Sequence, residues 1–351
     1  MKKFFITLIL AIFTMTILSG CDSCTPPNEV SYQLNWANNP TSGYTETCVY
    51  DVTYSSNFNE NGFNYSKSDI GVDILVTDGV YTTTTQIVSP NGIDIPDEDK
   101  HLDADYNRTF YKLTTALNLN ISYTINNVTE TFNDKVTSTT YFYDQNNGFA
   151  PIYSIKSYDT TNIEIGANGK ANKIVRYIYD TTTVYNKGDF TITFNQDKNL
   201  PKDTALSYVP EVNAITKTGK GNYKVFIDNE TLLFSLRNLN LSNNIYLDVV
   251  IPSFVGVEEV VTSKVISGKN TVNMSINGGA HSDVSIDTTT VAYCRSDETF
   301  TGSPILATIQ TDGLTYNDTT YNNAYLVKLV TRLPSYSGAI CYTLNSVTVT
   351  Q

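Results

Sequence analysis

Histidine is almost missing from this chain: His101 and His281 are the only two among 351 residues. Neither has a second His or Cys at ligand spacing, so the sequence offers no zinc site. A Ser-His-Asp arrangement would have to draw on one of these two, and both sit among polar, turn-forming residues. Charge is scarce as well. Charged residues make up 17% of the chain and sum to −12, against a usual share of about a quarter. That sign, with no basic patch, excludes a surface built to grip phosphates, so neither nucleic acid nor a polybasic membrane contact is expected. The acidity reads as solubility. Tryptophan occurs once, at Trp36. The short catalytic signatures are lacking too: no G-x-S-x-G elbow, no Ser-x-x-Lys, no phosphate-binding Gly-Lys loop and no H-E-x-x-H. Glu258 and Glu259 are neighbours in a predicted strand or bend, where adjacent side chains face opposite ways and cannot act as paired acid and base. No catalytic residue and no cofactor is therefore assigned.

Long apolar runs are confined to the start. Met1-Lys2-Lys3 is a short positive region, and Phe4 to Leu18 is apolar apart from three threonines. This is the layout of an export signal, and the run is shorter than the ~20 residues a spanning helix needs. The tetrad Leu18-Ser19-Gly20-Cys21 resembles the lipobox of bacterial lipoproteins. That resemblance implies cleavage before Cys21 and a diacylglyceryl thioether on its sulfur. Lipid carbons contribute ~0.8 kcal/mol per buried CH₂, so two or more chains make a durable anchor. Residues 1–20 are then a signal peptide. Residues 21–42, with Pro26, Pro27 and Pro40, read as a flexible tether, and 43–351 as a β-rich extracytoplasmic domain.

Alternation of apolar and polar residues dominates that domain, which is the mark of half-buried strands. Leu117, Leu119, Ile121, Tyr123 and Ile125 interleave with Asn118, Asn120, Ser122 and Thr124, and Asn126-Asn127 then makes a turn. The pattern recurs at Phe190–Phe194, Tyr223–Ile227, Ile245–Ile251, Val272–Ile276, Tyr325–Leu329 and Ile340–Leu344. One stretch differs. Leu232, Leu233, Leu236 and Leu239 recur at helical spacing, Asp228 or Asn229 can cap, and Glu230 suits the positive end of the dipole. One short helix is predicted near 229–240, its leucines against the sheet and closing one end of it. Strand signals weaken over 204–220, the candidate waist. Many strands with one helix predict a mostly β fold, an antiparallel curled sheet that is either an unclosed barrel or a sandwich. Thr and Tyr are expected on its outer, wetted face.

Four cysteines follow Cys21, an even number that permits two disulfides in an oxidising compartment. Cys294 with Cys341, and Cys24 with Cys48, are the favoured pairs; buried thiols are the alternative. The segment 94–105 gathers acidic residues. Asp97, Asp99, Asp103 and Asp105 could offer oxygens to calcium, but the EF-hand spacing is missing and a solvated acidic loop is the better reading, so no metal is assigned.

Asp228-Asn229-Glu230-Thr231-Leu232-Leu233-Phe234-Ser235-Leu236-Arg237, followed by the strand Ile245 to Ile251 and the ending Ala339-Ile340-Cys341-Tyr342-Thr343-Leu344, resembles an uncharacterised family of periplasmic proteins. The resemblance runs from about Tyr106 to the end. It implies an unclosed β-barrel crossed by a helix, and carries no catalytic residue with it. The sequence thus points to a protein held to a membrane through lipid on Cys21, binding or scaffolding an envelope ligand or protein. An envelope hydrolase acting on polysaccharide or peptide, and an adhesin or structural spacer, are the rival expectations. The ligand expected of an open barrel is apolar, a polysaccharide or another protein.

Overall fold

The computed structural model describes residues 43–66, 69–89, 92–100, 109–143, 149–186, 189–195, 214–218, 226–237, 246–251, 256–295, 304–310, 314–316, 319–321, 325–332 and 338–350. The signal and tether expected over 1–42, with Cys21, Cys24 and Trp36, lie outside the described residues, as do His101, Asp103, Asp105 and Leu239.

Alternating sequence becomes long strands. In chain order they are β1 (Thr45–Ser55), β2 (Asn57–Glu60), β3 (Phe63–Ser66), β4 (Val72–Val88), β5 (Phe110–Ile125), β6 (Val128–Phe142), β7 (Pro151–Ile165), β8 (Ala171–Asn186), β9 (Asp189–Asn195) and β10 (Ala214–Thr218). After β11 (Phe226–Asp228) comes the helix α1 (Asn229–Leu236). Then follow β12 (Tyr246–Ile251), β13 (Gly256–Ile276), β14 (Gly279–Arg295), β15 (Ile305–Gln310), β16 (Leu314–Tyr316), β17 (Thr319–Tyr321), β18 (Leu326–Arg332) and β19 (Ala339–Thr350). The strand β10 falls inside the candidate waist and adds antiparallel to β9.

Fifteen strands form one sheet in the order β10-β9-β8-β7-β6-β5-β4-β1-β19-β18-β15-β14-β13-β12-β11. Pairing is antiparallel except between β11 and β12 and in a short contact between β13 and β19. The sheet curls without closing into a barrel, as the alternation predicted. Within it, Ser275 and Ile276 of β13 meet Ser346 and Val347 of β19, so β13, β14, β15, β18 and β19 make a local ring. Turn chemistry sets the hairpins. Asn126 and Asn127 have φ of 52° and 62°, and Asn277 and Gly278 have 45° and 82°. Two successive positive φ values match the twist of a tight hairpin, and Asn and Gly tolerate them. The register of β4 against β5 slips between Val76 and Asp78. Beside that bulge a Cβ on Gly79 would come within 2.8 Å of Val52 and Leu119, so only glycine lets the chain bend this closely onto its neighbours.

The inner face buries many tyrosines, contrary to their expected place outside. Tyr50, Tyr81, Tyr123, Tyr158, Tyr177, Tyr179, Tyr185, Tyr293 and Tyr342 are all buried in the main core with Leu117, Ile121, Leu247 and Val249. A curled sheet has a deep inner face, and large rings fill it where a flatter sheet would leave them wet. The Thr expectation is likewise overturned at many inward positions. Thr115 of β5, Ser138 of β6, Lys156 of β7 and Thr181 of β8 stand in register, all buried. One step along runs a second row, Leu113, Thr140, Ser154 and Thr183. Paired hydroxyls stitch this polar belt across the strands: Thr115 with Ser138 at 2.7 Å, and Thr140 with Ser154 at 3.2 Å. Beyond the belt lies a smaller aromatic cluster of Tyr44, Phe142, Phe149 and Phe234.

The disulfide pairing Cys294–Cys341 is corrected. No disulfide joins the described cysteines Cys48, Cys294 and Cys341 to one another. Cys294 lies on β14 and Cys341 on β19, with β15 and β18 between them. Three strand spacings are about 14 Å, and a disulfide bridges no more than about 7 Å between Cα atoms. Cys48 is a buried thiol on β1, and its expected partner Cys24 lies outside the described residues.

Candidate functional site

The helix starts and stops on charged groups that never reach water. Asp228 caps it, its Oδ1 accepting from Glu230 N at 2.9 Å, as its sequence position suggested. Where the sequence suggested a helix lying with one leucine face on the sheet, every residue of Asn229–Leu236 is buried. The curl of the sheet accounts for the difference: α1 touches β5 and β6 as well as β11 and β12. A helix wrapped this way needs partners for polar groups on every side. The polar belt supplies them.

At the amino end, Lys156 Nζ donates to Asp228 Oδ1 at 3.0 Å and to Asn229 Oδ1 at 3.1 Å, and lies 3.5 Å from Glu230 Oε1. The Lys156 and Asp228 side chains are 0% exposed. Tyr185 Oη donates to the other oxygen of Asp228, Thr115 Oγ1 donates to Glu230 Oε2 at 3.2 Å, and Asn229 Nδ2 donates to Glu230 Oε1 at 3.4 Å. Two carboxylates thus share one ammonium. Burial raises Glu230 above the usual carboxylate range; Lys156 opposes that shift and the Asp228 charge adds to it.

At the carboxyl end, Arg237 grips Glu46 of β1 with both nitrogens, at 2.7 and 3.0 Å. Tyr44 Oη donates to Glu46 Oε2 at 3.0 Å. The guanidinium stacks between the rings of Phe234 and Tyr325, 5.5 and 5.3 Å from their centroids. Burial pulls the Arg237 pKa down, but Glu46 outweighs it and the net shift is upward. The Cys48 thiol is pushed up by burial and by Glu46. Burial also pushes the Cys341 thiol up to about 11. Thiols held protonated in this way are poor nucleophiles.

One small space lies between the helix and the sheet. The space lined by Tyr50, Tyr81, Thr85, Glu230, Phe234 and Arg237 amounts to ≈ 30 Å³, about one water. Here the helix itself packs into the curl of the sheet.

A roomier feature opens where the local ring closes. A groove of ≈ 610 Å³ is lined by Asp51, Asn270, Asn273, Ser275, Thr343 and Asn345, with Met274, Val327 and Leu344 on its apolar side. That volume falls in the range of small-molecule sites, about 300–1,000 Å³. Asn345 Nδ2 donates to both oxygens of Asp51 at 3.0 and 2.9 Å. Asn270 Nδ2 donates to Thr288 Oγ1 at 2.6 Å. Lys328, also on the rim, is tied to Glu60 of the β2–β3 hairpin at 2.7 Å and lies 5.0 Å from the centroid of Phe58. Lys328 is thus ion-paired and the Asp51 carboxylate is held by an amide, and amides and hydroxyls make up the rest of the polar lining.

Of the calcium candidates, Asp97 and Asp99 sit in an exposed 3-10 turn, where Asp97 accepts from Lys100 Nζ at 2.7 Å. Among the described residues no group of three or more metal-ligating side chains converges. The backbones of Glu258 and Glu259 lie in β13, opposite Val249 and Asp248. The sequence pointed to the helix and its cap. It missed Lys156, Glu46, Asp51 and Asn345, each of which looks like an ordinary strand or turn residue until distant strands are brought together. An inward-facing Lys in the alternation Ser154, Lys156, Tyr158 was the one available signal. No family model, curated protein or solved structure matches this chain.

Proposed function

We propose that this chain is a lipid-anchored protein of the cell envelope that binds a small, neutral, hydroxyl-rich ligand, a saccharide, in the groove beside β13 and β19. The groove itself carries the reading: ≈ 610 Å³ of open space edged by Asn270, Asn273, Ser275, Thr343 and Asn345. Amides and hydroxyls that both donate and accept are what a polyol needs, and the lining cation Lys328 is already paired with Glu60, which disfavours an anionic ligand. The lipobox tetrad supports the anchor and the extracytoplasmic address. Binding is favoured over hydrolysis because, among the described residues, the carboxylates Asp228 and Glu230 that meet at the helix are buried away from any substrate.

Native mass spectrometry of the protein purified gently from its own host is the direct test. A co-purifying glycan, displaced by Asn345→Trp in the groove, is the expected result. A clean apo mass, together with no binding to a panel of envelope oligosaccharides by calorimetry, would sink the saccharide reading. For the anchor, Cys21→Ser should abolish incorporation of radiolabelled fatty acid; a labelled Cys21→Ser protein would refute lipidation at that residue.

A further inference from the structure

The amino end of α1 holds a set of groups whose chemistry goes beyond capping a helix. An amine, a carboxamide and a carboxyl group are enclosed together in a closed triangle. Lys156 Nζ is 3.1 Å from Asn229 Oδ1, Asn229 Nδ2 is 3.4 Å from Glu230 Oε1, and Glu230 Oε1 is 3.5 Å from Lys156 Nζ. All three residues are buried, at 1%, 4% and 3% exposure. We propose that Lys156 and Asn229 become joined by an isopeptide bond that the folded chain forms on itself, with Glu230 as the proton carrier.

The step balances. Lys156 first gives one proton to the Glu230 carboxylate, leaving a neutral amine and a neutral acid in a buried enclosure where separated charges are costly. Nζ then attacks Cγ of Asn229 and forms the new C–N bond. A second Nζ proton passes through Glu230 to Nδ2, the Cγ–Nδ2 bond breaks, and ammonia leaves. One amide replaces another, so no oxidant, reductant or activating group is required. A carboxamide is a weak electrophile, but fixed neighbours react with effective molarities of ~10⁵–10⁸ M. Glu230 touches both the nucleophile and the leaving nitrogen, which is where a general acid–base must stand. Its burial-raised affinity for a proton fits that task. Asp228, although 3.0 Å from Nζ, is not the group attacked. Both of its oxygens are engaged, by Glu230 N, Lys156 and Tyr185, and an acid lacks the ready leaving nitrogen that Asn229 offers beside Glu230. The bond would tie β7 to the start of α1 across 73 residues.

Tryptic mapping of the purified full-length chain reads the bond directly. Cleavage after Lys224 and Arg237 yields the segment 225–237, and cleavage after Lys135 and Lys170 yields 136–170. The expected product is a branched species joining the two through uncleaved Lys156, lighter than their sum by one ammonia. Lys156→Arg and Glu230→Gln should each restore a linear 225–237 segment at full mass. A wild-type chain with linear 225–237 and cleavage at Lys156 overturns the proposal. So does ammonia lost within a linear 225–237, which marks a succinimide at Asn229. A Glu230→Gln protein that is folded by circular dichroism and still branched removes Glu230 from the step. Should either variant fail to fold, the wild-type peptides decide alone.

Discussion

The two ends of α1 solve the same burial problem in different ways. At the carboxyl end one guanidinium meets one carboxylate, Arg237 with Glu46, in a two-pronged contact backed by Tyr44 and sandwiched between rings. At the amino end one ammonium meets two carboxyl groups and an amide. The first arrangement is matched in charge and geometry, and its worth lies in keeping both partners. The second is one positive charge short, which favours uptake of a proton. Buried pairs are costly to break because the orphaned partner stays in low dielectric. Buried acids with a surplus of negative charge can take up a proton instead.

That contrast can be broken from the carboxyl end first. Glu46→Ala should cost the most, about 3–5 kcal/mol, since it strands the Arg237 charge in the core. Urea unfolding midpoints, with m unchanged, measure it; a loss under about 1 kcal/mol would remove Glu46 and Arg237 as a stabilising unit. A third buried acid gives a pH-dependent version of the amino-end problem. Asp134 of β6 accepts from Thr161 N at 3.0 Å and from Thr161 Oγ1 at 2.9 Å, yet burial pushes its pKa up to about 7. The unfolded value is about 3.9, so the folded state holds a proton that the unfolded chain has shed. This contribution is complete below about pH 4 and disappears as pH rises through about 7, so unfolding should be easier at pH 8 than at pH 5 by on the order of 2 kcal/mol. Asp134→Asn should flatten that slope in a thermal-melt series; an unchanged slope assigns the dependence elsewhere.

Tyr185→Phe at the amino end removes one donor from Asp228 and should cost about 1–2 kcal/mol, less than Glu46→Ala, because Lys156 and Glu230 N still hold the carboxylate. Equal losses for Tyr185→Phe and Glu46→Ala would erase the asymmetry between the two ends. The smallest effect is expected outside the core. Arg176 donates to Asp159 at 2.6 and 2.7 Å, with both side chains about a third exposed. Arg176→Ala should cost under about 1 kcal/mol, the usual worth of a wetted pair, and it should move the Asp134 titration upward because Arg176 lowers it.

Local signals made much of the fold legible. Period-two alternation marked β5, β9, β12, β18 and β19, and Asn126-Asn127 and Asn277-Gly278 marked two hairpins, because strand pleat and turn chemistry are properties of neighbours in sequence. The cap at Asp228 was legible for the same reason. The inward tyrosines and threonines were not. Alternation says that two faces exist and not how sharply the sheet curls, so a Thr ladder reads as outer surface until the curl turns it inward. The cysteines misled likewise, since pairing depends on how many strands intervene between β14 and β19.

What the sequence by itself determined was therefore the menu of elements: alternating strands, Asn and Gly turns, and one capped helix rich in leucine. Each follows from backbone preferences acting over a few residues. Tertiary structure alone decided that the helix would be swallowed whole, that Lys156 and Glu46 would be its charged partners, and that a groove would open between β13 and β19. Those outcomes depend on strand order and register over more than a hundred residues, because Glu46 and Arg237 are 191 positions apart and meet only when the sheet has curled.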